Sequence, residues 1–348
     1  MSEKKNNPQM LRPGLILILL VGGMLTLVIG QASSAHVRRF SDWSTPINLG
    51  PIVNSALNDS QPAISKDGRS LYFSSTRPGG LGNVDMYVSQ RANRHEPWGS
   101  PINLGLPINT TSSEGNPALS RDGHFMFFQS TRPGGLGNID IWVSWRKNKH
   151  DDFAWQPPVN LGPGVNSAAS ENGPSFFAND DDRACGAKAI RISGVAQLYF
   201  GSDRSGGFGA SDIYVSEQMA DGSFGPAVLV PQLNSGAIDQ RPSIRRDGLE
   251  IFIHSDRPGS ILSPTGVPSL DLWVATRAST LDAWSPPVNL GAINTSSLEQ
   301  HPYLSSDSRT LFFTSDRAGG SGTPDLYMTT RERLGGKSDG ECDDDDDN

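Results

Sequence analysis

The 348 residues include 36% hydrophobic residues, 38 glycines and 25 prolines, with a formal net charge of −8. That balance excludes a disordered chain and argues for many short strands joined by tight turns. It also excludes a nucleic-acid partner, because Asp339, Glu341 and Asp343 to Asp347 supply seven acids against Lys337, and the body without them is near neutral.

In chain order, Lys4, Lys5 and Arg12 precede the apolar run "LILILLVGGMLTLVI" from Leu15 to Ile29, and Ser33 and Ala35 form a small-x-small site ahead of His36. Residues 1–35 are therefore expected to be a secretory signal. The apolar run falls short of the about 20 residues that span a bilayer. An uncleaved anchor is the second reading and the only membrane contact expected. The mature protein is predicted to be periplasmic or secreted, and a monomer.

Residues 36–334 are built from a repeat. The string "STRPGGLGN" stands at 75–83 and again at 130–138, and aligning on it recovers five units. Each has an acid three residues before a proline: Asp59, Glu114, Glu171, Asp239 and Glu299. A strand and a turn follow, then a second strand ending in Ser-x-Arg, at Arg77, Arg132, Arg204, Arg257 and Arg317. A Gly-rich loop leads to a third strand opening on Asp85, Asp140, Asp212, Asp271 or Asp325. The fourth strands read "WGSPINLG", "WQPPVNLG", "FGPAVLVP" and "WSPPVNLG"; the fifth unit has none after it, and "WSTPINLG" stands in front from Trp43. Alternating apolar residues and the Asp-Gly pairs at 67–68, 122–123 and 247–248 mark short strands and hairpins. Four antiparallel strands per ~55 residues is the pattern of a propeller blade. The fold class is all-β, a five-bladed β-propeller whose last blade is closed by the N-terminal strand, which also removes an open edge.

The nonapeptide is then a loop between strands, where glycines take positive φ and proline fixes the entry. It lacks the helix and Lys-Ser/Thr pair of a phosphate loop. The five units resemble the TolB-type WD40-like β-propeller repeat family of exported bacterial proteins, through the pattern running from Pro62 to Gly80 and "DIYVS" at Asp212 to Ser216. The resemblance covers residues 43–333 and implies a propeller. TolB itself has six blades behind an α/β domain, so the resemblance is to the repeat.

Strands that run from centre to rim gather all five acids and all five arginines on one face. They are expected to form a structural ion-pair ring, with bidentate pairing of guanidinium and carboxylate. The third-strand aspartates are expected to cap the Gly-rich loops. Positions that vary between units are better candidates for recognition. The residue before each proline is Gln61, Asn116, Gly173, Arg241 or His301, and these should ring the channel mouth. His254 lies beside them, as does a long blade-four loop at 258–269. Gln61, Asn116, Arg241, His254 and His301 are the candidate ligand-binding residues, suited to an anionic or polar group.

Blade three carries an insertion with Cys185 on the opposite face, where the tail carries Cys342; in an exported protein these two could form a disulfide. The acidic tail, 335–348, is expected to be solvated, with the basic stretches "RANRH" and "RKNKH" as places that could hold it. No nucleophile elbow and no H-x-x-x-H or H-E-x-x-H pattern appears, so no catalytic residue, metal or cofactor is assigned. The reading that follows is an exported, non-catalytic binding scaffold for a protein, peptide or envelope polysaccharide. Its rival is a carbohydrate-active enzyme, hydrolase or lyase, at the channel mouth. Two free carboxylates about 5–10 Å apart would favour hydrolysis.

Overall fold

Short runs of β-branched and aromatic residues bounded by Gly, Pro and Asp-Gly produce twenty strands in the computed structural model, which describes Met1 and residues 40–178 and 196–334. The proposed signal, Cys185, Cys342 and the acidic tail lie outside the described residues. After β1 (Ile47–Asn48), blade one comprises β2 (Asp59–Ile64), β3 (Ser70–Ser75), β4 (Asp85–Gln90) and β5 (Ile102–Asn103). Blade two is β6 (Glu114–Leu119), β7 (Phe125–Ser130), β8 (Asp140–Trp145) and β9 (Val159–Asn160). Blade three is β10 (Glu171–Phe177), β11 (Gln197–Ser202), β12 (Asp212–Glu217) and β13 (Val228–Leu229). Blade four is β14 (Asp239–Ile244), β15 (Glu250–Ser255), β16 (Asp271–Thr276) and β17 (Val288–Asn289). Blade five, β18 (Glu299–Leu304), β19 (Thr310–Ser315) and β20 (Asp325–Thr330), takes β1 as its outer strand, with Ile47 opposite Met328 and Asn48 opposite Tyr327. The protein is a five-bladed β-propeller closed as its repeat predicts.

The core is five wedges, one between each pair of neighbouring blades. Each aromatic ahead of a fourth strand points at the second strand of the blade before it. Four such pairs meet edge-to-face: Trp43 on Phe252 at 6.0 Å, Tyr72 on Trp155 at 6.5 Å, Phe127 on Phe224 at 6.2 Å, and Tyr199 on Trp284 at 6.4 Å. Burying one such ring is worth about 1.5–3 kcal/mol, so the wedges hold the blades together.

The innermost strands share one irregularity. In every blade the pairing of strands one and two slips by one residue at the x-Pro step, as between Ser60 and Ala63. Proline has no N–H for the ladder and is accommodated at such a bulge. The preceding residue is left-handed in all five: Gln61 at φ 61°, Asn116 at 53°, Gly173 at 56°, Arg241 at 57° and His301 at 54°. Four of these carry a side chain, at a cost of about 1–2 kcal/mol each. Strain of this kind, repeated around an axis, marks the place to look for function.

Candidate functional site

The ion-pair ring exists, with one correction. Arg77 reaches Asp59 at 2.6 Å, Arg204 reaches Glu171 at 3.0 Å, Arg317 reaches Glu299 at 3.0 Å and Arg132 reaches Glu114 at 3.4 Å; Arg257 pairs with Asp239 in the same way. The pairing is single rather than bidentate, because each guanidinium divides its donors. Its Nε goes to the serine two residues back, as Arg77 to Ser75, and a terminal nitrogen goes to a carbonyl of the incoming loop, as Arg77 to Val53. The ring therefore ties each blade's entry loop to its second strand, and its five carboxylates are engaged. The third-strand aspartates cap the Gly-rich loops: Asp140 accepts the N–H groups of Leu136 and Gly137 at 2.6 and 3.1 Å.

Inside this ring, the left-handed residues line a narrow funnel on the axis, together with their prolines and Tyr303, with an enclosed volume of about 20 Å³. Its polar groups are linked from blade to blade. The Asn116 N–H donates to Gln61 Oε1 at 2.9 Å and the Gln61 N–H to Thr314 Oγ1 at 3.0 Å. Arg241 Nη1 donates to Gln129 Oε1 at 2.7 Å, and the His301 N–H donates to His254 Nδ1 at 3.3 Å. The two imidazoles stand edge-to-face, 5.4 Å apart. Tyr303 crosses the axis to the backbone of Leu119 in blade two and floors the funnel; burial raises its hydroxyl to about 12.

Several buried polar atoms here have no protein partner: Asn116 Nδ2, Asn172 Oδ1, Arg241 Nε, His254 Nε2 and His301 Nδ1. Buried polar atoms are satisfied as a rule, so these atoms are candidates for partners from outside the protein, water included. His254 accepts at Nδ1, which places its proton on Nε2 as a donor. Burial first, and then the charge of Arg241, hold His254 and His301 well below the ordinary 6.5, so both are neutral at neutral pH. Burial also draws Arg241 down to about 9; it remains a cation, enclosed by protein though open to the funnel on one side.

Of the candidate residues, Gln61, Asn116, Arg241 and His301 line the funnel, and His254 packs behind His301. The sequence missed Gln129 and Tyr303. Gln129 stands one residue before the serine of Ser-x-Arg, a column that reads Ser74, Gln129, Gly201, His254 and Thr314 and varies as the pre-proline column does. Tyr303 was detectable as the one large residue in a column otherwise holding Ala63, Ala118, Ser175 and Ser243.

No family model matches the chain, and no curated protein matches it significantly. Solved structures share its fold. The α-L-arabinofuranosidase PaAbf62A from Podospora anserina aligns with a TM-score of 0.51 at 11% identity, over 85% of this chain and 98% of that one. The endo-arabinase of Bacteroides thetaiotaomicron aligns with 0.51 at 16% identity, over 87% of this chain and all of that one. TolB from Acinetobacter baumannii gives 0.46 at 13% identity, over 81% of this chain and 56% of that one, too remote to carry an argument. At these identities the likeness is one of fold. It nevertheless corrects one expectation: five-bladed rings of this build are carried by glycoside hydrolases, so the reading of a non-catalytic binding scaffold, which rested on the repeated architecture, is set aside.

Proposed function

We propose that the protein is a carbohydrate-active enzyme whose site is the axial funnel, and that it cleaves an anionic sugar by elimination. The supporting observation is the makeup of the funnel: the Arg241 guanidinium and the neutral His301 imidazole in its lining, His254 packed behind His301, each with an unpartnered nitrogen, and no carboxylate in the lining, the five nearby acids being held by arginines. Hydrolysis by a carboxylate pair has no free pair to use there. Elimination from a uronate needs a cation at the carboxylate to acidify the carbon beside it, a neutral base for that proton, and a donor for the leaving oxygen.

Arg241, with the amide of Asn116, would take the uronate carboxylate. His301 would remove the proton from C5, the electrons of that C–H bond would form the C4=C5 double bond, and the C4–O bond would break. His254, fixed as an Nε2 donor, would protonate the departing oxygen. A carboxylate on Arg241 also lifts the repulsion that depresses His301 and makes it a better base. The apolar segment 15–29 would deliver the protein to the periplasm or beyond, where envelope glycans are met. By its repeat motif we group the ring with TolB-type propellers as a scaffold.

The test is incubation with uronate-containing polysaccharides, following the ultraviolet absorbance of the unsaturated product. Wild-type protein should generate it, and Arg241→Met and His301→Gln should each lose on the order of 10²-fold or more. Product with new reducing ends but no unsaturation, or undiminished turnover in both variants, would refute elimination at this site.

A further inference from the structure

Four of the five seams between blades carry an arginine on a fourth-strand tryptophan; two give it an acid and two do not, Arg277 over Trp284 at 4.2 Å being left with Nη2 unpartnered in the seam between blades three and four. Between blades one and two, Asp152 accepts hydrogen bonds from Ser70 Oγ at 2.6 Å, Gln90 Nε2 at 2.6 Å, Arg146 Nη1 at 2.8 Å and the Tyr72 hydroxyl. Between blades four and five, Glu250 takes both terminal nitrogens of Arg331, at 2.9 and 2.6 Å, and Arg245 at 3.1 Å. In both seams the arginine follows strand three and lies over the fourth-strand tryptophan: Arg146 at 4.3 Å from Trp155 and Arg331 at 4.5 Å from Trp43.

The seam between blades five and one has the same arginine on the same tryptophan. Arg91 lies 4.1 Å from Trp98, with its Nε on the Gly68 carbonyl at 2.7 Å. The acid is missing. Thr310 stands where blade four has Glu250, Thr330 stands where blade one has Gln90, and the stretch 91–98 is two residues shorter than 146–155, which brings Asp152. Asp67, the acid whose charge Arg91 feels, is engaged by Ser65 Oγ at 2.6 Å and the Arg69 N–H at 3.0 Å. Burial and the neighbouring Arg94 both weaken the hold of Arg91 on its proton. In the acid's place is a groove of about 240 Å³, with Trp98, Phe312 and Met328 in its wall and the exposed Arg94–Asp307 pair at its rim.

We infer that this groove binds the carboxylates of the chain's own acidic tail, Glu341 and Asp343 to Asp347. The sister seam is filled by an aspartate of the same chain, so the chemistry has an internal precedent. The tail leaves the blade that forms one wall: Thr330 lines the groove and the described chain ends four residues later, at Leu334. From there to Asp343 an extended chain reaches about 30 Å. Two adjacent cations and a run of five aspartates are complementary in charge.

Carbodiimide coupling of the full-length protein tests this, because it joins a carboxylate to a lysine amine in contact with it, and Lys66 lines the groove. Mass spectrometry should find an amide between Lys66 and the tail acids within one chain. Thr310→Glu supplies the carboxylate that blade four carries, so it should cut the yield at least five-fold and raise the melting temperature. Arg91→Gln should cut the yield without that rise. No Lys66–tail product in the wild type, a product only between two chains, or an unchanged yield in Thr310→Glu would each overturn the assignment.

Discussion

Gly173 occupies the one left-handed position of the funnel where a side chain has no room. A Cβ there would stand 2.5 Å from Arg241 Cδ and 3.1 Å from the Arg241 Cα, and the second of these is backbone and cannot swing aside. Gly173→Ala should therefore displace the guanidinium, cost about 1–3 kcal/mol and abolish most turnover, measured by denaturant titration beside the lyase assay. His254 and His301 give a pH signature. Their folded pKa values lie below the unfolded value of about 6.5. The unfolded chain thus binds more protons at low pH, and the stability linked to them is complete above that value and is lost as pH falls through it. Denaturant midpoints between pH 8 and 5 should fall less steeply in His254→Gln than in the wild type. Identical slopes would refute burial of a neutral imidazole. Which side chains ring the axis was readable from variation against a repeat. Which atoms lack partners was not, because satisfaction depends on distances that spacing along a chain does not encode.

The fourth strand carries an asparagine in four blades: Asn48, Asn103, Asn160 and Asn289 donate to Asp325, Asp85, Asp140 and Asp271 at 3.0, 2.9, 3.2 and 2.7 Å. Blade three has Leu229 there, and Asp212 is left with Oδ1 unpartnered and its carboxyl raised, chiefly by burial. Leu229→Asn should lower that pKa and stabilise the protein by about 1 kcal/mol at neutral pH. The gain should vanish as pH falls through the carboxylate range, which thermal melts at pH 7 and pH 4 would reveal. The strands, their hairpins and this odd leucine all stand in the sequence as "VLVP" against "VNLG". The bulges do not, because a residue before proline is expected to be extended and its φ leaves no trace in composition.

Closure belongs to the whole ring. Trp43 packs edge-to-face on Phe252 of blade four and under the Arg331 guanidinium, so Trp43→Ala should cost about 3–5 kcal/mol and deletion of residues 43–50 should abolish cooperative melting in circular dichroism. A truncated chain as heat-resistant as the parent would refute the closure. Blade count and closure were legible because repeats can be counted. Whether the ring performs chemistry was not, because the acids that repeat most visibly belong to the scaffold, and the candidate residues are those that break the pattern.

The closure also leaves the two ends of the described ring side by side: Phe40 bridges Arg333, and the Ser41 N–H donates to the Glu332 carbonyl at 2.8 Å. A circular permutant, with these ends fused by a few glycines and new termini opened in the turn at Gly79, should assemble the same toroid. Where translation starts would then be incidental to the architecture.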